Sequence, residues 1–249
     1  MSDFNRGYPR TASAGSADMA VDAGLRAFML GVYNKMALGL LVSAALAFVT
    51  SNYPPVRDIL FRVTVDGRFA GFTLIGMIIA FSPIAVLLIG QNAFRQSARS
   101  TGVIYWSVVA LFGASLGDLA LIYRVDSIFM TFLITSAAFG ALSLVGYTTR
   151  KDLTGFGSFL IMGLFGIIIA SVVNMFLHLA ALAFVVNILG VLIFAGLVAF
   201  DTQRLKMTYY HLGGDAGAMS VATNYGALSL YLDFLNLFTL LLQLTGNRR

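Results

Sequence analysis

Residues 192–206, LIFAGLVAFDTQRLK, close a long apolar run with an aspartate, Asp201, and residues 227–238, ALSLYLDFLNLF, set a second, Asp233, inside the next apolar run. Each run approaches the roughly 20 residues that a helix needs to cross about 30 Å of hydrocarbon. A carboxylate at the centre of such a helix costs roughly 2.5 to 3.5 kcal/mol on insertion scales. Two of them on consecutive segments mark both a membrane fold and the place in it where function is expected.

Composition extends that reading to the whole chain. Of 249 residues, 59% are hydrophobic and 11% charged, against about 25% charged in ordinary soluble domains, so polar groups are too few to cover a globular surface. The sixteen Lys and Arg leave a net charge of +5, but they sit scattered at segment ends, which argues against a nucleic-acid partner. Cysteine is absent, which excludes disulfides and thiolate chemistry. His178 and His211 are too far apart in sequence to make a zinc site, and GGDAG at 213–217 lacks the Walker spacing of a phosphate loop.

Seven apolar segments are predicted, at about 27–50, 69–90, 101–123, 127–149, 155–177, 180–205 and 226–245. They are continuous rather than alternating, so the fold class is an all-α membrane protein and not a barrel. Residues 1–26 balance Arg6, Arg10 and Arg26 against Asp3, Asp18 and Asp22 and read as a disordered polar tail ahead of a seven-helix domain at 27–249. The tail is a poor signal peptide, since the apolar run behind it is long enough to span. Connections at 124–126 and 178–179 are short enough to force antiparallel neighbours, whereas 51–68, with Pro54 and Pro55, and 206–225 read as loops. Gly113, Gly117, Gly163 and Gly166 are expected at close helix contacts, and Pro83 is expected to kink the second segment.

With the N-terminus in the cytoplasm, that side carries Arg6, Arg10, Arg26, Lys35, Arg95, Arg99, Arg150, Lys151, Arg204 and Lys206, and the other only Arg57, Arg62, Arg68, Arg124, Arg248 and Arg249. The positive-inside rule favours this orientation, with the C-terminus on the opposite side. Asp201 then lies about one turn before the cytoplasmic end of the sixth segment and Asp233 about two turns after the cytoplasmic start of the seventh. Two antiparallel neighbours thus hold them at similar depth. If they face each other, desolvation and like-charge repulsion disfavour double ionisation, and the two titrate as a coupled pair. Ser229, Asp233, Asn236 and Gln243 recur at spacings of four, three and seven, one polar stripe on a helix of Leu, Phe and Tyr. Two readings stand for these groups: a proton-sensitive gate on an ion path, or hydrogen bonds that hold the bundle together. A second polar group, Asp118, Asn174, His178 and Asn187, lies toward the opposite side, either as an outer mouth for a cation or as ordinary interfacial residues. The loops carry no EF-hand pattern, so no tightly bound metal or cofactor is expected.

YTTRKDLTGFGSFLIMGL at 147–164, FAGLVAFDTQRLK at 194–206 and ALSLYLDFLNLF at 227–238 together resemble the Bax inhibitor-1 family of transmembrane proteins, in its bacterial branch. The resemblance covers roughly residues 27 to 245 and leaves out only the tail. It implies seven helices, six of them wrapped around the C-terminal one, in a multi-pass protein of the bacterial inner membrane. It also implies a pH-sensitive calcium leak, with calcium bound only transiently, in which Asp201 and Asp233 act as sensor and latch. Some family members are thought to close by pairing an arginine of the second segment with one of these aspartates. Here that segment, FAGFTLIGMIIAFSPIAVLLIG, has no basic residue, and Arg95 or Arg204 would have to substitute or else serve as snorkelling charges.

Two rival functions remain. A modulator of a membrane protease or of stress and cell-death machinery would contact its protein partner through the tail and the 206–225 loop. An intramembrane aspartyl protease also needs two facing aspartates, but it would show GxGD around the second, where this chain has YLDF. The chain is therefore not expected to be an enzyme.

Overall fold

The computed structural model describes residues 14–65, 67–93 and 97–249. Arg95 and residues 1–13 of the tail lie outside them. Helix α1, Ala14–Asn52, is 39 residues long, about 58 Å. Residues 14–26, expected in the tail, are therefore helical: AGSADMAVDAGLR is rich in alanine and free of proline, and good helix formers carry the helix beyond its apolar part. It stops at Asn52 because Pro54 bars the preceding residue from helical geometry. Tyr53 is extended (φ −94°, ψ 105°), and Pro54 and Pro55 open α2, Pro54–Leu60.

Strands β1, Phe61–Val63, and β2, Phe69–Phe72, follow as an antiparallel pair with Phe61 opposite Phe72 and Val63 opposite Phe69. The expected loop at 51–68 thus holds a helix and a strand, and residues 69–72, expected to begin the second span, form the returning strand. Phe61, Phe69 and Phe72 have ring centroids 5.3 to 6.0 Å apart and pack with buried Leu60 and Leu121. That aromatic cluster is what turns an apparent loop into structure. Helix α3, Leu74–Ala93, continues through Pro83. Proline removes the bond to the carbonyl four residues back, and the Ser82 hydroxyl donates to that same Ile79 carbonyl at 2.7 Å.

The remaining helices are α4, Ala98–Ser115, α5, Gly117–Ile122, α6, Val125–Thr148, α7, Thr154–Leu177, α8, Ala180–Leu212, and α9, Ala216–Thr245. Ser97 and Ser100 form a capping box that starts α4. The 206–225 loop shrinks to a turn at 213–215. The left-handed Gly213 (φ 55°) and Gly214 (φ 88°) end α8, and Asp215 caps α9 by accepting from the amides of Gly217 and Ala218 at 2.8 and 3.1 Å. The polar sequence KMTYYHL and the segment after GGD are helical on both sides of that turn.

Among the described residues six stretches are long and apolar enough to cross a membrane: α1 from Asp22, α4 with α5, α6, α7, α8 and α9. Within α3, Leu74–Gly90 is a shorter apolar helix. Helix α9 packs on α1, α4, α6 and α8, while α3 packs on α4 and α7 on α8. The main core joins Val32 of α1, Tyr105 and Val108 of α4, Val198 of α8 and Leu230, Tyr231 and Phe234 of α9. Tyr231 buries its hydroxyl 2.6 Å from Ser43 Oγ, and Ser43 donates to the Val109 carbonyl at 3.0 Å, so three helices share one satisfied polar contact. Outward-facing Phe159, Met162, Phe165 and Phe176 leave α7 apolar on its exposed side, as a lipid-facing helix requires. At one end the C-terminal residues pair with the α5–α6 junction, Arg124 N to Asn247 O and Arg249 N to Ile122 O, both 3.0 Å.

Helices meet closely at Gly113, Gly117 and Gly163, as expected, whereas a Cβ on Gly166 would meet nothing within 4 Å. A Cβ on Gly113 would lie 2.7 Å from Ser43 Cα, and one on Gly146 would lie 2.2 Å from the Ala199 carbonyl oxygen. Backbone cannot yield as a side chain can, so Gly146→Leu must part α6 from α8. We predict a loss of about 3 kcal/mol, the upper part of the overpacking range, read as a lowered thermal midpoint in detergent. Gly140→Leu on the same helix meets nothing within 4 Å and should leave the midpoint unchanged; equal midpoints for the two variants would sink the close-contact account.

Candidate functional site

Helix α8 carries Asp201 and Arg204 three residues apart, and α9 carries Ser229 and Asp233 four apart, so each helix presents its pair on one face. Helices α8 and α9 pack against each other, and both aspartates are 6% exposed. Asp233 lies close enough to Asp201 for the two carboxyl groups to act on each other. The Ser229 hydroxyl donates to Asp201 Oδ2, and Arg204 Nη2 lies 3.2 Å from Asp201 Oδ1 and 3.2 Å from Ser229 Oγ. Asp201 is thus held by a hydroxyl and a guanidinium, while Asp233 Oδ2 is buried with no hydrogen-bond partner among the described residues.

The setting is otherwise apolar. The Phe234 ring lies 5.5 Å from both Phe132 and Phe139, and Arg204 lies 5.7 Å from the Phe200 ring centroid. Thr202, fully buried, is 3.4 Å from the Tyr33 hydroxyl of α1. Among the described residues no three His, Asp or Glu side chains converge. The acidic pair is completed by a hydroxyl and a guanidinium rather than by further carboxylates.

The rest of the predicted polar set divides. Asn236 donates to the Leu232 carbonyl of its own helix at 2.8 Å, and Gln243 is exposed near the end of α9, so the stripe reaches the acidic site only through Ser229 and Asp233. Arg204 contacts the pair; Arg95 lies outside the described residues. Asn174 accepts the Leu179 amide at 3.0 Å and so stabilises the α7–α8 turn, in which His178 is left-handed (φ 53°) and exposed. Asn187 lies farther along α8, half-buried. Asp118 sits in the first turn of α5, whose packing partners are α1, α4, α6 and β2. Asn174 and His178 thus belong to the α7–α8 turn, whereas Asp118 belongs to the packing of α5.

Sequence reading missed a second polar junction. Lys35 of α1 donates to Asn224 Oδ1, and Asn224 Nδ2 donates to Thr101 Oγ1 at 2.7 Å and to the Ala98 carbonyl at 2.9 Å. The Tyr105 hydroxyl donates to the Lys35 carbonyl at 2.7 Å. A lysine inside an apolar run needs an acceptor, and that was the available signal, passed over when Lys35 was counted with the topology charges.

The motifs also explain one another. Gln203 accepts the Leu153 amide at 2.8 Å and donates to the Lys151 carbonyl at 2.7 Å, while Lys206 donates to the Tyr147 carbonyl at 3.0 Å. FDTQRLK therefore fixes the loop of YTTRKDLTGF and presents Asp201 and Arg204 to α9. In that loop, the Thr154 hydroxyl and amide at 2.6 and 2.8 Å hold exposed Asp152 below the usual carboxylate range.

A family model described as "Inhibitor of apoptosis-promoting Bax1" matches residues 25–249. The chain belongs to the Bax inhibitor-1 family. It is 59% identical to an uncharacterized protein of Caulobacter vibrioides over all of both chains. Inner membrane protein YbhL of Escherichia coli is 41% identical over 91% of this chain and 94% of its own. A protein of Rickettsia prowazekii is 42% identical over 97% of this chain and 98% of its own. As a Bax inhibitor-1 family member with six membrane-length helices, the chain is a multi-pass membrane protein.

Proposed function

We propose that this chain is a pH-sensitive cation leak, with calcium as its first-choice ion, in which Asp201 and Asp233 sense protons and latch the path between α8 and α9. The observation that carries the reading is the facing, buried carboxyl pair with Arg204 and Ser229 on Asp201 and one orphaned oxygen on Asp233. A carboxyl pair this close changes its contacts when a proton leaves it. In this reading α3 is the seventh span, α9 is the central helix, and calcium passes by weak, transient contact with no resident cofactor. YbhL is named an inner membrane protein, and we assign this chain to the same membrane, N-terminus in the cytoplasm and C-terminus outside. The ends of the helices agree with that orientation: Arg99, Arg150, Lys151, Arg204 and Lys206 lie toward one end, Arg57, Arg62 and Arg124 toward the other. No catalytic role is assigned.

The test is calcium flux through purified protein in proteoliposomes between about pH 5 and 8, the range over which cellular pH sensors change charge, with empty vesicles as control. A protein-dependent flux that varies with pH is the expected result. Absence of calcium passage at every pH would end the leak reading, and a flux indifferent to pH would remove the sensor.

A further inference from the structure

Helices α1 and α6 each pack on α9, and an open cleft of about 780 Å³ lies between them, within the roughly 300–1,000 Å³ of small-molecule sites. Along α1 it extends from Arg26 to Ala44, and along α6 from Tyr147 back to Phe132. At 1.5 Å per residue these are about 27 and 23 Å, longer than one leaflet of a hydrocarbon core about 30 Å thick. Phe139 and Phe234 line its inner wall. The walls are apolar along nearly the whole length, with two polar features toward one end. Arg26 is exposed there and pairs with no carboxylate among the described residues. Ser143, one turn deeper than Tyr147, is 6% exposed, and its hydroxyl is closed to solvent and has no hydrogen-bond partner among the described residues.

We propose that the α1–α6 cleft binds one anionic phospholipid, its acyl chain along the apolar wall and its phosphate on Arg26. An arginine with no carboxylate partner among the described residues, set above a long apolar slot, is the complement of an amphiphile with an anionic head. The site does not depend on the flux reading, although it adjoins the acidic pair through Phe234 and through Tyr33, whose hydroxyl reaches Thr202.

Gly140 supplies the decisive variant, because it lines the cleft and a Cβ there meets nothing within 4 Å. Native mass spectrometry of the full chain released from detergent, with phosphatidylglycerol or phosphatidylethanolamine added, should show one lipid retained. Phosphatidylglycerol should be favoured by about fivefold, the order one basic residue gives at a lipid surface. Arg26→Gln should erase that preference, and Gly140→Trp should reduce retention of both lipids. Gly166→Trp, on α7 with equally open space and outside the cleft, should behave as wild type and so report correct folding. Equal lipid retention in wild type and Gly140→Trp overturns the site. A lipid-free dimer that Gly140→Trp dissociates would overturn it as well, giving the cleft to a second copy of the chain.

Discussion

In proteoliposomes, Asp233→Asn is expected to hold calcium flux low and flat from about pH 5 to 8, whereas Asp201→Asn is expected to raise it. The opposite signs follow from the partners of the two groups. Asp201 accepts from Ser229 and faces Arg204, while Asp233 Oδ2 has no hydrogen-bond partner among the described residues. An asparagine at 233 donates to Asp201 at every pH, so the latch persists without a titrating proton. An asparagine at 201 removes the anion that Arg204 faces, and the latch loses its charged contact. In the wild type, loss of the shared proton leaves two like charges in contact. At about 4 Å and an effective dielectric of 20 they repel by about 4 kcal/mol, comparable with the roughly 5.5 kcal/mol that carries a two-state equilibrium from 1:99 to 99:1. The Arg204 charge offsets part of this, so alkaline opening should be strong without being complete. Wild-type pH responses in both variants would eliminate the pair as sensor and leave it as a hydrogen bond that holds α8 to α9.

The membrane class and most helix centres were legible because apolar run length and helical spacing are local properties. The site's closure was not. Arg204 lies three residues from Asp201, and its spacing was equally that of a snorkelling or topology-setting arginine; only the position of α9, with Ser229 between the two, selects the contact. Lys35 failed for the same reason, since its acceptor Asn224 lies on a distant helix. Boundaries were misread where composition and packing disagree. The polar 206–225 stretch is helical outside three turn residues, and a cluster of three phenylalanines structures what proline made look like loop. The segment expected to dock a protein partner is thus helical on both sides of Gly213–Asp215. The outer mouth was inferred from depth alone. Depth does not give rotation about the helix axis or adjacency, and Asp118 sits among different neighbours from Asn174 and His178.

Arg204→Gln provides the sharpest test of what neutralises the pair in a chain whose α3 has no basic residue. The substitution removes the only cation within 4 Å of Asp201 among the described residues while leaving both carboxyls and Ser229 in place. Breaking a fully buried ion pair costs about 3–5 kcal/mol, but the Arg204 side chain is 51% exposed and solvent screens much of the interaction. A loss of about 1.5 kcal/mol, the lower end for a hydrogen bond to a charged group, is the reasonable expectation. It should raise flux near neutral pH by about tenfold if the latch sets the shut state. Arg204→Lys should recover part of the effect, because an ammonium supplies charge but cannot span Asp201 and Ser229 with a planar fork. Arg150→Gln, in the exposed α6–α7 loop, removes the same charge from the same end without touching the pair and should leave flux at the wild-type level. If the two glutamine variants behave alike, Arg204 acts on topology and surface potential, and Asp201 is neutralised by the proton it shares with Asp233.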